Sequence, residues 1–325
     1  MNTRHFLAAA GSLACALALQ PLQSQAQQYP TRPVKVVVGY PAGGAVDIVA
    51  RTLGQSLSSS LGQTFVIENK PGAGSNIAVK SVIDAPADGY TLLLAANALA
   101  ANMALYTPAP FDAEKELVPV SLVGRVPVVI AANPTAPYSS IAQLIAAARA
   151  RPGSISFASP GNGSTPHMAG ELFARAAGIS LQHVPYRGGA QAITDVIGGQ
   201  VPLVAVNALE AKPHVASGKL KVLAVLSPQR SPIFPDAPTI AQSGFPGFEA
   251  SVWYALMAPA GTPRPVVDKL HTEVQKALQT TDVSERMSAV GGEVIPGSQA
   301  DLARLLRTER ARYANLVREA RIAPD

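Results

Sequence analysis

The chain is nearly devoid of cysteine: 325 residues contain one, Cys15, and it lies in a stretch that reads as a removable leader. Without it no disulfide framework, zinc thiolate or thiol nucleophile is available, which suits an oxidising, exported compartment. Aromatic residues are scarce at 5%, with one tryptophan. Lysine and arginine give a formal net charge of only +5 without clustering, so a nucleic-acid footprint is absent and acidic ligands are only mildly favoured. No run beyond the leader approaches the ~20 apolar residues of a membrane-spanning helix. There is no Gly-x-Ser-x-Gly elbow, no His-x-x-x-His pair and no paired-carboxylate pattern. The sequence therefore offers no nucleophile–base set. His167 and Glu171 share a helix face at i, i+4, a spacing that suits a metal but occurs more often as a surface hydrogen bond.

The leader is what stands first. Arg4 and His5 form a basic start, Phe6 to Leu19 is apolar, and Ser24-Gln25-Ala26 is a small-residue cleavage site. These features predict a secretory signal peptide over residues 1–26, with Gln27 as the first mature residue. A lipoprotein anchor at Cys15 ranks below it, because the apolar run before it is very short.

The organising stretch is Val34 to Arg51, VKVVVGYPAGGAVDIVAR. The valines predict a short buried strand, Gly39 to Gly44 breaks the chain, and Asp47 to Arg51 opens a helix. A strand passing through a glycine turn into a helix aims several N–H groups at one point, a natural anion site. A mere tight turn using glycine for positive φ fits the stretch equally well. The nucleotide-loop spacings are absent.

The pattern repeats. Helix residues Ile48, Val49, Leu53, Leu57 and Leu61 end at Gly62, and Phe65 to Ile67 is the next strand. A second glycine loop, 69–76, enters a helix over Ile77 to Asp84, and Thr91 to Ala96 is a strand ending at Asn97. Tyr106 to Pro119 reads as irregular. Val126 to Ala132 predicts a strand, and Ser139 or Ser140 caps a helix running to Arg151. Ile155 to Ala158 begins another strand–loop–helix unit, in which Ser164 or Thr165 is the N-cap and Pro166 lies in the first turn. Strands are expected at Leu181 to Pro185, Val201 to Val206, Leu220 to Leu226 and Ala250 to Met257. Helices are expected at Ala190 to Ile197, Val266 to Leu278 and about Ser298 to Ala320.

Repeated strand–helix units predict a parallel, doubly covered α/β sheet with ligands beyond the strand carboxyl ends. Two such clusters, with the chain returning to the first, fit two lobes joined by two crossings around a cleft. The expected lobes are residues 27–125 with 250–325, and 126–249. If the Val34–Arg51 and Ser156–Glu171 units face each other across the cleft, two positive helix ends meet there, an arrangement suited to a small carboxylate. Tyr40, Tyr186 and Trp253 are candidate wall residues, with core packing favoured for Trp253.

Seven motifs occur in order: Tyr29-Pro30-x-Arg32-Pro33, Pro41-Ala42-Gly43-Gly44-x-x-Asp47, Glu68-Asn69-Lys70-Pro71-Gly72-Ala73-Gly74, Ala87-Asp88-Gly89-Tyr90-Thr91-Leu92, Phe157-Ala158-Ser159-Pro160-Gly161-x-Gly163-Ser164, His183-Val184-Pro185-Tyr186-Arg187-Gly188 and Ala258-Pro259-Ala260-Gly261-Thr262-Pro263. Each is weak alone; together they are specific. Across essentially the whole mature chain, the sequence resembles the periplasmic solute-binding receptors of tripartite tricarboxylate transporters, the Bug or TctC-like receptors.

The resemblance implies an α/β, two-lobed periplasmic-binding-protein fold of type II, the Venus flytrap with two crossover strands, and no catalysis. It implies a small organic anion as ligand, a mono- or dicarboxylate, held without metal or cofactor by Tyr40, Ala42, Gly43, Asp47, Asn97, Ser159, Gly161, Gly163, Ser164 and Tyr186. The implied partners are the membrane permease subunits of a tripartite transporter, with the receptor a periplasmic monomer that binds no nucleic acid. A periplasmic enzyme acting on an organic acid, or the ligand-binding subunit of a membrane sensor, are the alternatives. Departures from the family pattern cluster near the expected pocket: Gly39-Tyr40 where many relatives have Pro-Phe, Ser75 where a third glycine is usual, and Pro202, Ala205 and Ala255.

Overall fold

The computed structural model describes residues 29–289, 291–320 and 322; the expected leader, its cleavage site and Cys15 lie outside them. β1 (Val34–Val38), β2 (Phe65–Asn69) and β3 (Thr91–Ala96) are parallel neighbours in the order β2-β1-β3. Antiparallel to β3 runs β9 (Ser251–Pro259), and β9 pairs with β4 (Leu117–Ala132). The remainder is β7 (Leu203–Asn207), β5 (Ser156–Ser159) and β6 (Gln182–Pro185) in the order β4-β7-β5-β6. β8 (Lys221–Val225) and β10 (Glu293–Val294) both pair with β4.

The sixteen-residue strand β4 joins the two halves of the sheet. Its first part, Leu117 to Pro127, pairs with β9, whereas Val128 to Ala132 pair with β7. The described residues include two separate apolar clusters that match this division. One gathers Leu93, Leu99, Trp253, Met257 and Leu302; the other gathers Val129, Ile193, Val204 and Val225. Each half of the sheet thus carries its own core, as two lobes sharing crossing strands require.

Local sequence explains most elements. The helix Ala45–Leu61 stops where Gly62 takes a left-handed conformation at φ 69°. The helix Ile141–Ala150 starts at Ser140, whose hydroxyl accepts the Gln143 N–H. In the helix Gln299–Ala320 the residues Leu302, Leu306, Glu309, Tyr313 and Leu316 recur every three or four positions and are all buried.

The sheet is mixed rather than parallel as expected, because β4 and β9 run antiparallel to each of their neighbours, and several elements depart from expectation. β4 begins at Leu117 inside the stretch read as irregular. Pro119 and Pro127 mask it in the sequence, and register shifts between Pro119 and Ser121 and between Leu122 and Gly124 accommodate it. The helix Ala98–Leu105 is buried nearly all round, so no amphipathic period marks it. The helix Ala208–Ala216 carries Pro213 within it, and the helix Thr281–Ala289 is mostly polar. Neither shows a clear apolar face in the sequence.

Candidate functional site

The first loop is built around Asp47. This buried carboxylate sits in the first turn of Ala45–Leu61. It accepts the Gly43 N–H, the Arg51 Nε–H and the Asn69 Nδ2–H, each at 2.9 Å. Asn69 also donates to the Tyr40 carbonyl at 3.0 Å. Burial pushes the Asp47 pKa up, but the hydrogen bonds from Arg51, Gly43 and Asn69 outweigh it and hold it below the usual carboxylate value. Gly43 itself takes φ +83°, and a side chain at Gly39 would run into Ser75.

The second loop joins β5 to the helix Thr165–Ala177. Ser164 is its N-cap, accepting the His167 N–H at 3.4 Å, and Pro166 lies in its first turn. Gly161 takes φ +129°, and a side chain there would meet the Tyr186 carbonyl. Behind the loop the structure gathers residues that are scattered in the sequence. Ser159 Oγ and His183 Nε2 lie 2.6 Å apart, and the Ser159 hydroxyl accepts the Gly161 N–H at 3.2 Å. His167 Nδ1 accepts the Gly163 N–H at 3.2 Å, so the neutral ring carries its proton on Nε2, facing Glu171 at 3.9 Å. Burial lowers the His167 pKa well below the ordinary value, with His183 adding to the effect. Burial likewise lowers His183 to about 4 and raises Glu171 to about 7. The His167–Glu171 pair, expected at the surface, is interior: His167 is buried and Glu171 partly so. Among the described residues no group of three His, Cys, Asp or Glu stands close enough to hold a metal.

A cavity of about 700 Å³ lies between these loops. Tyr40, Ala42, Gly43 and Ser164 are on its wall. The other expected ligand residues, Asp47, Asn97, Ser159, Gly161, Gly163 and Tyr186, are not on that wall. Asn97 is fixed within the protein: its Oδ1 accepts the Trp253 N–H at 2.8 Å, and its Nδ2 faces the Ser251 carbonyl, Glu309 and the Tyr313 hydroxyl at 3.1–3.2 Å. The Tyr186 hydroxyl donates to Asp195 at 2.7 Å. Trp253 is buried in the first core. Ser159 and His183 are at a nucleophile–base distance, but Ser159 is fully buried and is not on the cavity wall.

Besides the two expected helix N-termini, two more open on the cavity. They belong to Gly189–Ile197, beginning at Gly188, and to Ala208–Ala216, beginning at Asn207. The starts of four helices, each with a partial positive charge, thus line one space, and one of them already donates to Glu210 through the Ala45 N–H. The sequence held the signal for the third, since Tyr186-Arg187-Gly188-Gly189 repeats the strand–glycine–helix pattern. The fourth carries Glu210, whose carboxylate accepts from the Ala45 N–H and from Asn207. Nothing in its spacing pointed to the cleft.

The sequence model of the tripartite tricarboxylate transporter family receptor matches residues 49–322. Protein BugT of Bordetella pertussis is 39% identical over 296 residues, which span 90% of this chain and 91% of BugT. Among solved structures, R. palustris Rpa4515 with adipate superimposes with a TM-score of 0.86 at 36% identity, covering 91% of this chain and 100% of that one. MatC from Rhodopseudomonas palustris with bound malate gives 0.83 at 31% identity, over 89% of this chain and 100% of the other.

Proposed function

The chain belongs to the tripartite tricarboxylate transporter receptor family, with the two-lobed periplasmic-binding-protein fold and a receptor's rather than an enzyme's role, and from that premise we propose that it captures a small organic carboxylate in the periplasm and delivers it to the membrane subunits of a tripartite transporter. The observation that carries the reading is the convergence of four helix N-termini on one cavity. Backbone donors and helix dipoles stabilise an anion without an arginine clamp. The cavity also falls within the size range of small-molecule sites, and two structural relatives hold adipate and malate. In this reading residues 1–26 are removed on export and the mature protein acts as a monomer. Residues 27–125 with 250–325 form one lobe and 126–249 the other. Tyr40, Ala42, Gly43 and Ser164 touch the ligand, while Asp47, Asn97, Ser159, Gly161, Gly163 and Tyr186 shape the loops that do.

Titration calorimetry of the mature protein against short mono- and dicarboxylates and amino acids tests this. At least one should bind saturably at one site and be recovered unchanged. At about 100 times its dissociation constant it should stabilise the fold by about 2.7 kcal/mol. Failure of every carboxylate to bind, or conversion of the bound compound, would overturn the reading.

A further inference from the structure

The carboxylate of Glu210 occupies a place where a ligand anion would be expected. It accepts the N–H of Ala45, the first residue of the helix Ala45–Leu61. It also packs so closely on Gly189 that any side chain there would collide with it, and an added Cβ at Gly44 would lie 3.4 Å from it. One of the converging helix ends is therefore already engaged by a carboxylate of the protein itself.

That carboxylate has no ion-pair partner, although Arg187 and Lys212 share the cavity wall. Among the described residues no lysine, arginine or histidine forms an ion pair with Glu210; burial is the largest influence on its carboxyl, followed by hydrogen bonds from Ala45 and Asn207. Lys212, which also lines the cavity, donates instead to the Ala289 carbonyl at 2.9 Å. Burial pushes the Glu210 pKa up, as expected for a carboxylate lacking a cation.

A second observation points the same way. Asn207 is buried and lines the cavity. Its Nδ2 donates to Glu210 at 3.4 Å, which leaves Oδ1 as the free end, and that oxygen has no hydrogen-bond partner. An unsatisfied buried acceptor beside a carboxylate calls for a donor from the ligand.

Resting on the receptor reading above, we propose that Glu210 and Asn207 determine specificity: they form an acceptor corner for an ammonium group, so the cleft selects short amino carboxylates over dicarboxylates of similar length. The ligand carboxylate goes to the Ser164 end, where Ser164 and the first turn of Thr165–Ala177 supply donors. The ammonium goes to the Glu210 end, where a second carboxylate would face a like charge in a partly dehydrated site.

Two matched pairs of probes test the assignment by calorimetry: 4-aminobutanoate against glutarate, and 3-aminopropanoate against succinate. The wild-type protein should bind the amino acid at least tenfold more tightly in one pair or both. Glu210→Gln keeps an oxygen for the Ala45 N–H and removes the charge, so it should lower the amino-acid to dicarboxylate affinity ratio at least tenfold. Wild-type preference for the dicarboxylate in both pairs overturns the proposal whether or not the variant folds. An unchanged ratio in a folded Glu210→Gln protein overturns it as well. Those outcomes leave the carboxylate-receptor reading standing; wild-type protein that binds no carboxylate of any kind removes both.

Discussion

The imidazoles of His167 and His183 lie face to face, their centroids 3.7 Å apart and their planes 15° from parallel. Two protonated rings could not share that position, and burial holds both pKa values down, His183 to about 4. Both rings are therefore neutral in the folded protein, and they support the Ser159–Ser164 loop through Ser159 and Gly163.

The stack gives stability a pH dependence that Glu171 opposes. A histidine whose folded pKa is depressed contributes fully above its unfolded value near 6.5, and that contribution is lost as pH falls towards 4. Glu171 is raised to about 7 by burial, so the folded state holds its proton and its contribution is lost as pH rises from about 4.5 to 7. Glu171→Gln should therefore show a steeper rise in stability between pH 5 and 7 than the wild type, by about 2 kcal/mol over that interval. Denaturant titrations at both pH values measure it. Parallel profiles would mean that Glu171 is ionised in the folded state.

Asn97→Ala should cost stability rather than binding contacts. The side chain links β3, β9 and the helix Gln299–Ala320 through Trp253, Ser251, Glu309 and Tyr313. Its loss leaves the Trp253 N–H without its partner and takes one hydrogen bond from the buried Glu309, which keeps Arg312 at 3.4 Å, a change worth about 2–4 kcal/mol. Thermal unfolding without ligand should show the drop, while affinity measured well below the new midpoint should stay within a few fold. Wild-type stability with abolished binding would place Asn97 in the site after all.

The strand–glycine–helix units were legible because their signals are local: valine runs, glycines at positive φ, serine caps and a proline in the first turn all lie within about ten residues. Ser140, Ser164 and Gly62 act as such signals predict. What the sequence concealed depends on distant partners. Asn97 follows a strand, as a ligand residue would, yet it is satisfied by residues more than 150 positions away. The His167–His183 stack forms because β5 and β6 pair in a register that sets Phe157 opposite His183. Glu210 reaches the cleft because its helix starts beside Ala45, and no periodicity records that.

Ligand should close the two lobes about β4 and the return into β9, since two-lobed receptors hinge around their ligands. Small-angle scattering of the mature protein should give a smaller radius of gyration at saturating carboxylate. Trp253 lies in the first core and off the cavity wall, so its emission maximum should hardly move. Identical scattering curves with and without independently confirmed ligand would show that binding occurs without closure.

Ser164→Asp separates anion capture from helix capping. Ser164 caps Thr165–Ala177 through the His167 N–H and lines the cavity. Aspartate ranks with serine at an N-cap, and its charge favours the helix dipole by roughly 0.3–1 kcal/mol. The unliganded variant should therefore unfold at or slightly above the wild-type midpoint. Its carboxylate, however, takes the place assigned to the ligand carboxylate. At ~4 Å and an effective dielectric near 20, two such charges repel by about 4 kcal/mol, close to a thousandfold in affinity. Ser164→Ala is the control: it costs about 1 kcal/mol of capping but adds no charge, and its affinity should fall by far less. Calorimetry that finds near-native affinity in a folded Ser164→Asp protein would make this serine a structural cap alone, and the ligand's carboxylate would have to be sought at another of the four helix ends.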